Sequence, residues 1–270
     1  MKKSSIFDRK NRILLKELVK TDFKLRYQGS VLGILWSVLK PLMLFAVMYV
    51  VFVHFLKFGA DIPHFPVALL LAITLWSFFA EATSSGMRAI VDRGDLMRKI
   101  KFPKYIVVIS TTGSALIQLA INVCVVVIFA IFNGVDFHWY VLFAPIVFIE
   151  LYVLSLGAAF LLSALYVKFR DLGHIWEVVL QAGFYATPII YPLAMVANFS
   201  LEASKALLMN PMAQIIQDMR YLIIYDGTQT VWNYINNIWI ALIPIAITII
   251  IAVLGWRYFK KNSKKFAENI

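Results

Sequence analysis

The sequence predicts an all-α fold embedded in a membrane, with six transmembrane helices in a single domain over residues 1–270. Three observations carry that expectation. Apolar residues fill 61% of the 270 positions and charged residues only 15%, against roughly 45–50% and about 25% in soluble domains. The apolar residues gather into long runs, and about 20 residues suffice to cross roughly 30 Å of hydrocarbon. Lysine and arginine fall in alternate loops, as they do where a chain passes back and forth through a bilayer.

In chain order the runs predict spans at 34–56, 66–87, 105–132, 139–166, 174–192 and 235–257. The first 30 residues, the loop from Arg88 to Lys104, the turn with Lys168 and Arg170, and the tail 258–270 are basic. The intervening loops hold little beyond Lys57, Lys205 and Arg220. Both termini are therefore expected in the cytoplasm, which requires an even number of spans. The net charge of +11 is divided among these short blocks, which argues against a nucleic-acid-binding face. Cys124 stands alone inside an apolar run, and no cleavable signal peptide is visible.

Residues 6–28 read as an amphipathic helix lying in the interface. Leu14, Leu15, Leu18, Val19 and Phe23 recur at helical spacing, with Lys16, Lys20 and Lys24 on another face, a pattern that seats lysines among anionic headgroups. The loop 92–103 predicts a short helix with Leu96, Met97 and Ile100 on one side and Arg93, Asp95, Arg98 and Lys99 around it. Pro103 discourages helix at the residue before it. Such a helix suits docking into a groove of another protein. The turn from Tyr166 to His174 holds Phe169 and Asp171, which a purely basic topology signal does not need.

Past the fifth run, Pro188 and Pro192 break the helix, and Asn210-Pro211 reads as an N-cap with proline at the first helical position. The helix that follows has Met212, Ile215, Ile216, Met219, Leu222 and Ile223 on one face and is too short to cross. Irregular backbone at membrane depth needs protein or a watery cavity around it, so 188–225 is expected to form an outer gate. Glu81 and Glu150 lie inside spans, with Gln118 and Asn122 as expected hydrogen-bond partners. Trp76, Phe78, Phe79, Phe184, Tyr185 and Tyr191 could line a passage, since sugar rings stack on aromatic faces. The sequence holds no phosphate-binding loop, H-E-x-x-H, C-x-x-C or G-x-S-x-G, so neither a metal site nor a catalytic residue is expected.

Residues 24–42, KLRYQGSVLGILWSVLKPL, closely resemble the K-x-R-Y-x-x-S-x-L-G-x-x-W-x-x-x-x-P-L signature of type-2 ABC exporter permeases for polysaccharides and polyol phosphates. Lys168–Leu172, Pro188–Pro192 and Asn210-Pro211 resemble later elements of that family in the same order. The resemblance implies a homodimer with two separate ATP-binding cassette subunits, which would carry ATP and magnesium. The helix at 92–103 would be the main coupling helix, the 168–174 turn the second, and 193–225 outer gate helices. The cargo would be an undecaprenyl-diphosphate-linked wall polymer, teichoic acid or rhamnose-rich polysaccharide, in a Gram-positive cell membrane. Arg26 and Lys40 become candidates for its diphosphate head. The alternative is a flippase or channel for lipid-linked sugars working without ATP; an intramembrane glycosyl or phosphoglycosyl transferase would need an acid or metal cluster that the sequence does not offer.

Overall fold

The computed structural model describes residues 9–26, 29, 32–99, 102–264 and 266, and among them it is helical with no strand. Helix α1 (Arg9–Arg26) precedes α2 (Trp36–Met48), which runs on as a π-helical stretch, Tyr49–Phe55. Then come α3 (Phe65–Asp92), the short α4 (Gly94–Lys99), α5 (Tyr105–Phe132) and α6 (Ala144–Tyr166), the last entered through a 3-10 turn, Trp139–Phe143. The second half holds α7 (Leu172–Ala186), α8 (Leu193–Phe199), α9 (Leu201–Leu208), α10 (Pro211–Ile223), α11 (Val231–Tyr234), α12 (Ile238–Ala241) and α13 (Ile243–Asn262).

Among the described residues, five segments are long and apolar enough to cross a membrane: Trp36–Phe55, Phe65–Asp92, Tyr105–Phe132, Trp139–Tyr166 and Ile238–Asn262. The expected fifth span, 174–192, differs. Its helix α7 has 15 residues and ends at Ala186, with Thr187 extended, because Pro188 lacks an amide hydrogen and biases its predecessor away from helix. A helix of that length reaches only about 22 Å.

The centre of the bundle is α3, whose residues from Val67 to Trp76 are all buried. A helix apolar around its whole circumference belongs inside; α5 and α6 pack on it, and α13 lies along α6. The α6–α13 contact is backbone on backbone: a methyl group at Gly157 would strike the Ala252 main chain, and one at Gly255 would strike the Gly157 carbonyl. Small residues bring membrane helices together in this way, through dispersion rather than a hydrophobic drive. By contrast α2 and its π-helical continuation turn Met43, Leu44, Val47, Val50 and Phe55 outward, toward lipid or another chain.

Helix α10 is not the one-faced helix that its pattern predicts. Every residue from Met212 to Arg220 is buried, Gln214, Gln217, Asp218 and Arg220 included. It is wedged against α6, α3 and α13, where its polar side chains must find partners inside the protein.

Candidate functional site

The bundle has a basic end, where α1, α4 and the chain's tail meet, and a far end closed by α8 to α10. At the basic end α4 is held between α3 and α5, with Asp95 and Lys99 exposed and Leu96 and Met97 half-buried. Ile100, and the side chain of Arg98, lie outside the described residues. Arg93, expected on the docking surface, points inward instead. Its side chain is 17% exposed and pairs with Asp22 of α1, 12% exposed; Nη1 also donates to Ser110 Oγ of α5 at 3.0 Å. Burial lowers the Arg93 pKa from its ordinary value, yet a guanidinium stays charged. One residue thus binds three helices at the root of α4.

Beside that pair a cleft of about 620 Å³ opens between α1 and the basic half of α3. Thr21 and Asp22 line it from α1, Glu81, Ser84, Arg88 and Asp92 from α3, and Glu177 from α7. Arg88 Nη2 reaches Glu177 Oε1 at 2.9 Å, with both side chains largely solvated. The turn before α7 projects Phe169, 53% exposed, under Lys168 Nζ at 5.1 Å; Asp171 is exposed too. Lys40 is exposed on α2, while the Arg26 side chain lies outside the described residues. Lys40 does not line the cleft.

The aromatic residues meet where α7 crosses α3. Ring centroids lie 5.7 Å apart for Trp76–Phe79, 6.1 Å for Trp76–Phe184 and 5.4 Å for Phe184–Tyr185. Trp176 joins them at 6.3 Å from Phe79 and donates Nε1–H to Thr83 Oγ1 at 3.1 Å. Gly183 permits the approach, since a Cβ there would come within 2.8 Å of the Trp76 ring. Tyr191 donates its hydroxyl to the Tyr185 carbonyl at 3.1 Å. Trp76 and Phe79 are packed inside the chain, whereas Tyr185 is exposed; Glu81 sits in the cleft.

At the far end the expected break after α7 is stapled by a residue that sequence reasoning passed over. Arg220 is 4% exposed. It donates from Nη1 to the Pro188 carbonyl at 2.8 Å and Gln217 Oε1 at 2.9 Å, from Nη2 to the Ile189 carbonyl at 2.8 Å, and from Nε to the Ala68 carbonyl at 3.3 Å. Asn210 caps α10, accepting the Met212 amide at 3.0 Å and donating to Thr187 Oγ1 at 3.2 Å; Pro211 follows as the first helical residue, and Pro192 precedes α8. Glu150 is not partnered by Gln118 or Asn122 as expected. Its Oε2 accepts from Gln214 Nε2 of α10 at 3.3 Å, and the same amide donates to Asp218 Oδ2 at 2.6 Å.

A helical bundle with five candidate spans among the described residues, a short helix between two of them and α1 packed along α5 fits a transporter's membrane subunit. Residues 13–224 match the model of the ABC-2 type transporter family, and the chain belongs to that family. It is 30% identical over 262 residues, 96% of each chain, to the O-antigen export system permease protein RfbA of Myxococcus xanthus. It is 29% identical over 257 residues to an RfbA permease of Klebsiella pneumoniae, and 27% identical over 259 residues to a second from that organism, covering 94% of each chain in both cases.

Proposed function

We propose that the chain is the permease half of an ATP-driven exporter of a lipid-linked polysaccharide. In this reading two copies assemble with two ATP-binding subunits, which hold ATP and magnesium, and the basic end faces the cytoplasm. Helix α7 with residues 187–192 makes the sixth crossing, so that both termini lie on one side. The exposed parts of α4, with Phe169 and Asp171, form the surface on which the ATP-binding subunit acts. The region from Pro188 to Pro211 is the outer gate.

The observation that carries the reading is the cleft between α1 and α3, which shares Asp92 and Arg93 with the root of α4. A movement of α4 therefore reaches the cleft wall without an intermediary. The cleft's carboxylates, hydroxyls and guanidinium groups can accept from and donate to sugar hydroxyls, and the ring cluster of Trp76, Phe79, Phe184 and Tyr185 adjoins it along α3 and α7. The relatives carry O-antigen in their names, which favours a related surface polysaccharide; teichoic acid or a rhamnose-rich wall polymer rests on the sequence resemblance alone. Arg26 and Lys40 remain the proposed contacts for a diphosphate head, and intact export after charge reversal at both removes them.

The decisive experiment reconstitutes the chain in vesicles with its proposed ATP-binding subunit and supplies lipid-linked polysaccharide on one face. The expected result is translocation that needs ATP and stops when the ATPase is omitted. Translocation at an undiminished rate without nucleotide would overturn the proposal in favour of a passive flippase.

A further inference from the structure

The last described turn of the chain holds contacts that the export reading leaves unused. Helix α13 ends at Asn262, and Lys260, Lys261 and Lys264 around its end are exposed. Phe266 nevertheless turns back against the bundle and is only 2% exposed. Its ring meets Phe259 edge-on, with centroids 5.3 Å apart. Lys104 Nζ stands 5.6 Å from the centre of the Phe266 ring and donates to the Ser263 carbonyl at 2.7 Å.

That lysine occupies a telling place. It is the N-cap of α5, one residue beyond the Phe102-Pro103 stretch that leads out of the α4 loop. One ammonium therefore serves a carbonyl at the C-terminus of α13 and an aromatic face at once, both favourable sites for a cation. Phe266, Phe259, Val107 and Val108 form one buried cluster, and Met97 of α4 and Phe102 pack against it. A ring buried just past the exposed lysines that close α13, and packed in one cluster with residues of α5 and α13, is a fastening.

We infer that Phe266 and Lys104 clamp the loop carrying α4 to the ends of α5 and α13, so that a push on α4 moves the bundle rather than the loop alone. In this role Phe266 is a positioning residue, acting through its packing on Phe259 and its ring beneath Lys104. The clamp rests on the proposed function only for the identity of what pushes.

The test uses the full chain with its ATPase, compared at equal membrane levels. Phe266→Ala is expected to reduce polymer exported per ATP hydrolysed about five-fold or more while hydrolysis falls less than about two-fold, and Phe266→Tyr to restore at least half of the loss. Lys104→Ala, which leaves the packed ring in place, gives a smaller change in the same direction and serves if the alanine variant at Phe266 fails to accumulate. A second measurement needs no partner: with Cys124→Ser, a spin label on Asp95→Cys of α4 gains mobility in membranes when Phe266 is alanine. Unchanged label mobility together with an unchanged export-to-hydrolysis ratio overturns the inference. Failure of the wild-type complex to export with ATP overturns the functional reading instead, and the label then decides the clamp by itself.

Discussion

The two ends of this molecule solve the burial of charge in opposite ways. At the basic end, charged groups from separate helices meet across an open cleft: Arg93 with Asp22, Arg88 with Glu177. At the far end one guanidinium, Arg220, is satisfied by three main-chain carbonyls and an amide oxygen. Ion pairs between helices can part and reform as the helices move, each partner taking up water. Carbonyls freed by a proline-broken turn have no such alternative and stay dry only while the guanidinium stays put. The first arrangement suits a moving joint, the second a latch.

The largest expected effect lies at the latch. Arg220→Ala leaves the carbonyls of Pro188 and Ile189 without donors, and buried acceptors so orphaned cost about 1–3 kcal/mol each. Destabilisation of at least about 3 kcal/mol is expected, read by thermal unfolding of the purified protein in detergent. An Arg220→Ala protein as stable as wild type would refute the latch and the contrast with it.

Next comes the joint. Asp22→Ala strands a mostly buried guanidinium, and breaking such a pair from one side costs about 3–5 kcal/mol. Exchanging the charges, Asp22→Arg with Arg93→Asp, is expected to recover part of both stability and export, because the attraction survives reversal. If the exchange is no better than the sum of the single changes, the two residues do not act as a pair.

The smallest effect is expected at Arg88 and Glu177, both largely solvated. Exposed pairs contribute about 0–1 kcal/mol, so Glu177→Gln should leave unfolding unchanged within error. Its signature belongs in transport: a change in the dependence on polymer concentration, because the pair lines the cleft. Unchanged transport kinetics would take that pair out of the polymer's path.

Much of the fold was legible because apolar run length and loop charge are local properties. Four of the expected spans overlap long helices nearly end to end, and Asn210-Pro211 announced the start of α10. The end of α7 was legible only in part. Pro188 marks the break, but apolar residues continue to Tyr191, so composition alone carried the expected span to 192. What escaped were pairings across the chain. Arg93 reads as one more cation in a basic loop until Asp22, 71 positions earlier, is seen against it. Arg220 reads as a stray charge, because main-chain carbonyls have no letter in a sequence. Glu150 reads as a partner for amides in a neighbouring span, whereas the structure gives it Gln214, 64 residues away.

The touching backbones of Gly157 and Gly255 limit how this protein can change over generations. A bulky replacement at one position can often be absorbed by shrinking the residue opposite. Here the obstacle at Gly157 is the Ala252 main chain and at Gly255 the Gly157 carbonyl, and main chain cannot be shrunk by a second substitution. At these two positions the α6–α13 seam is therefore fixed in composition, whatever changes elsewhere in the protein.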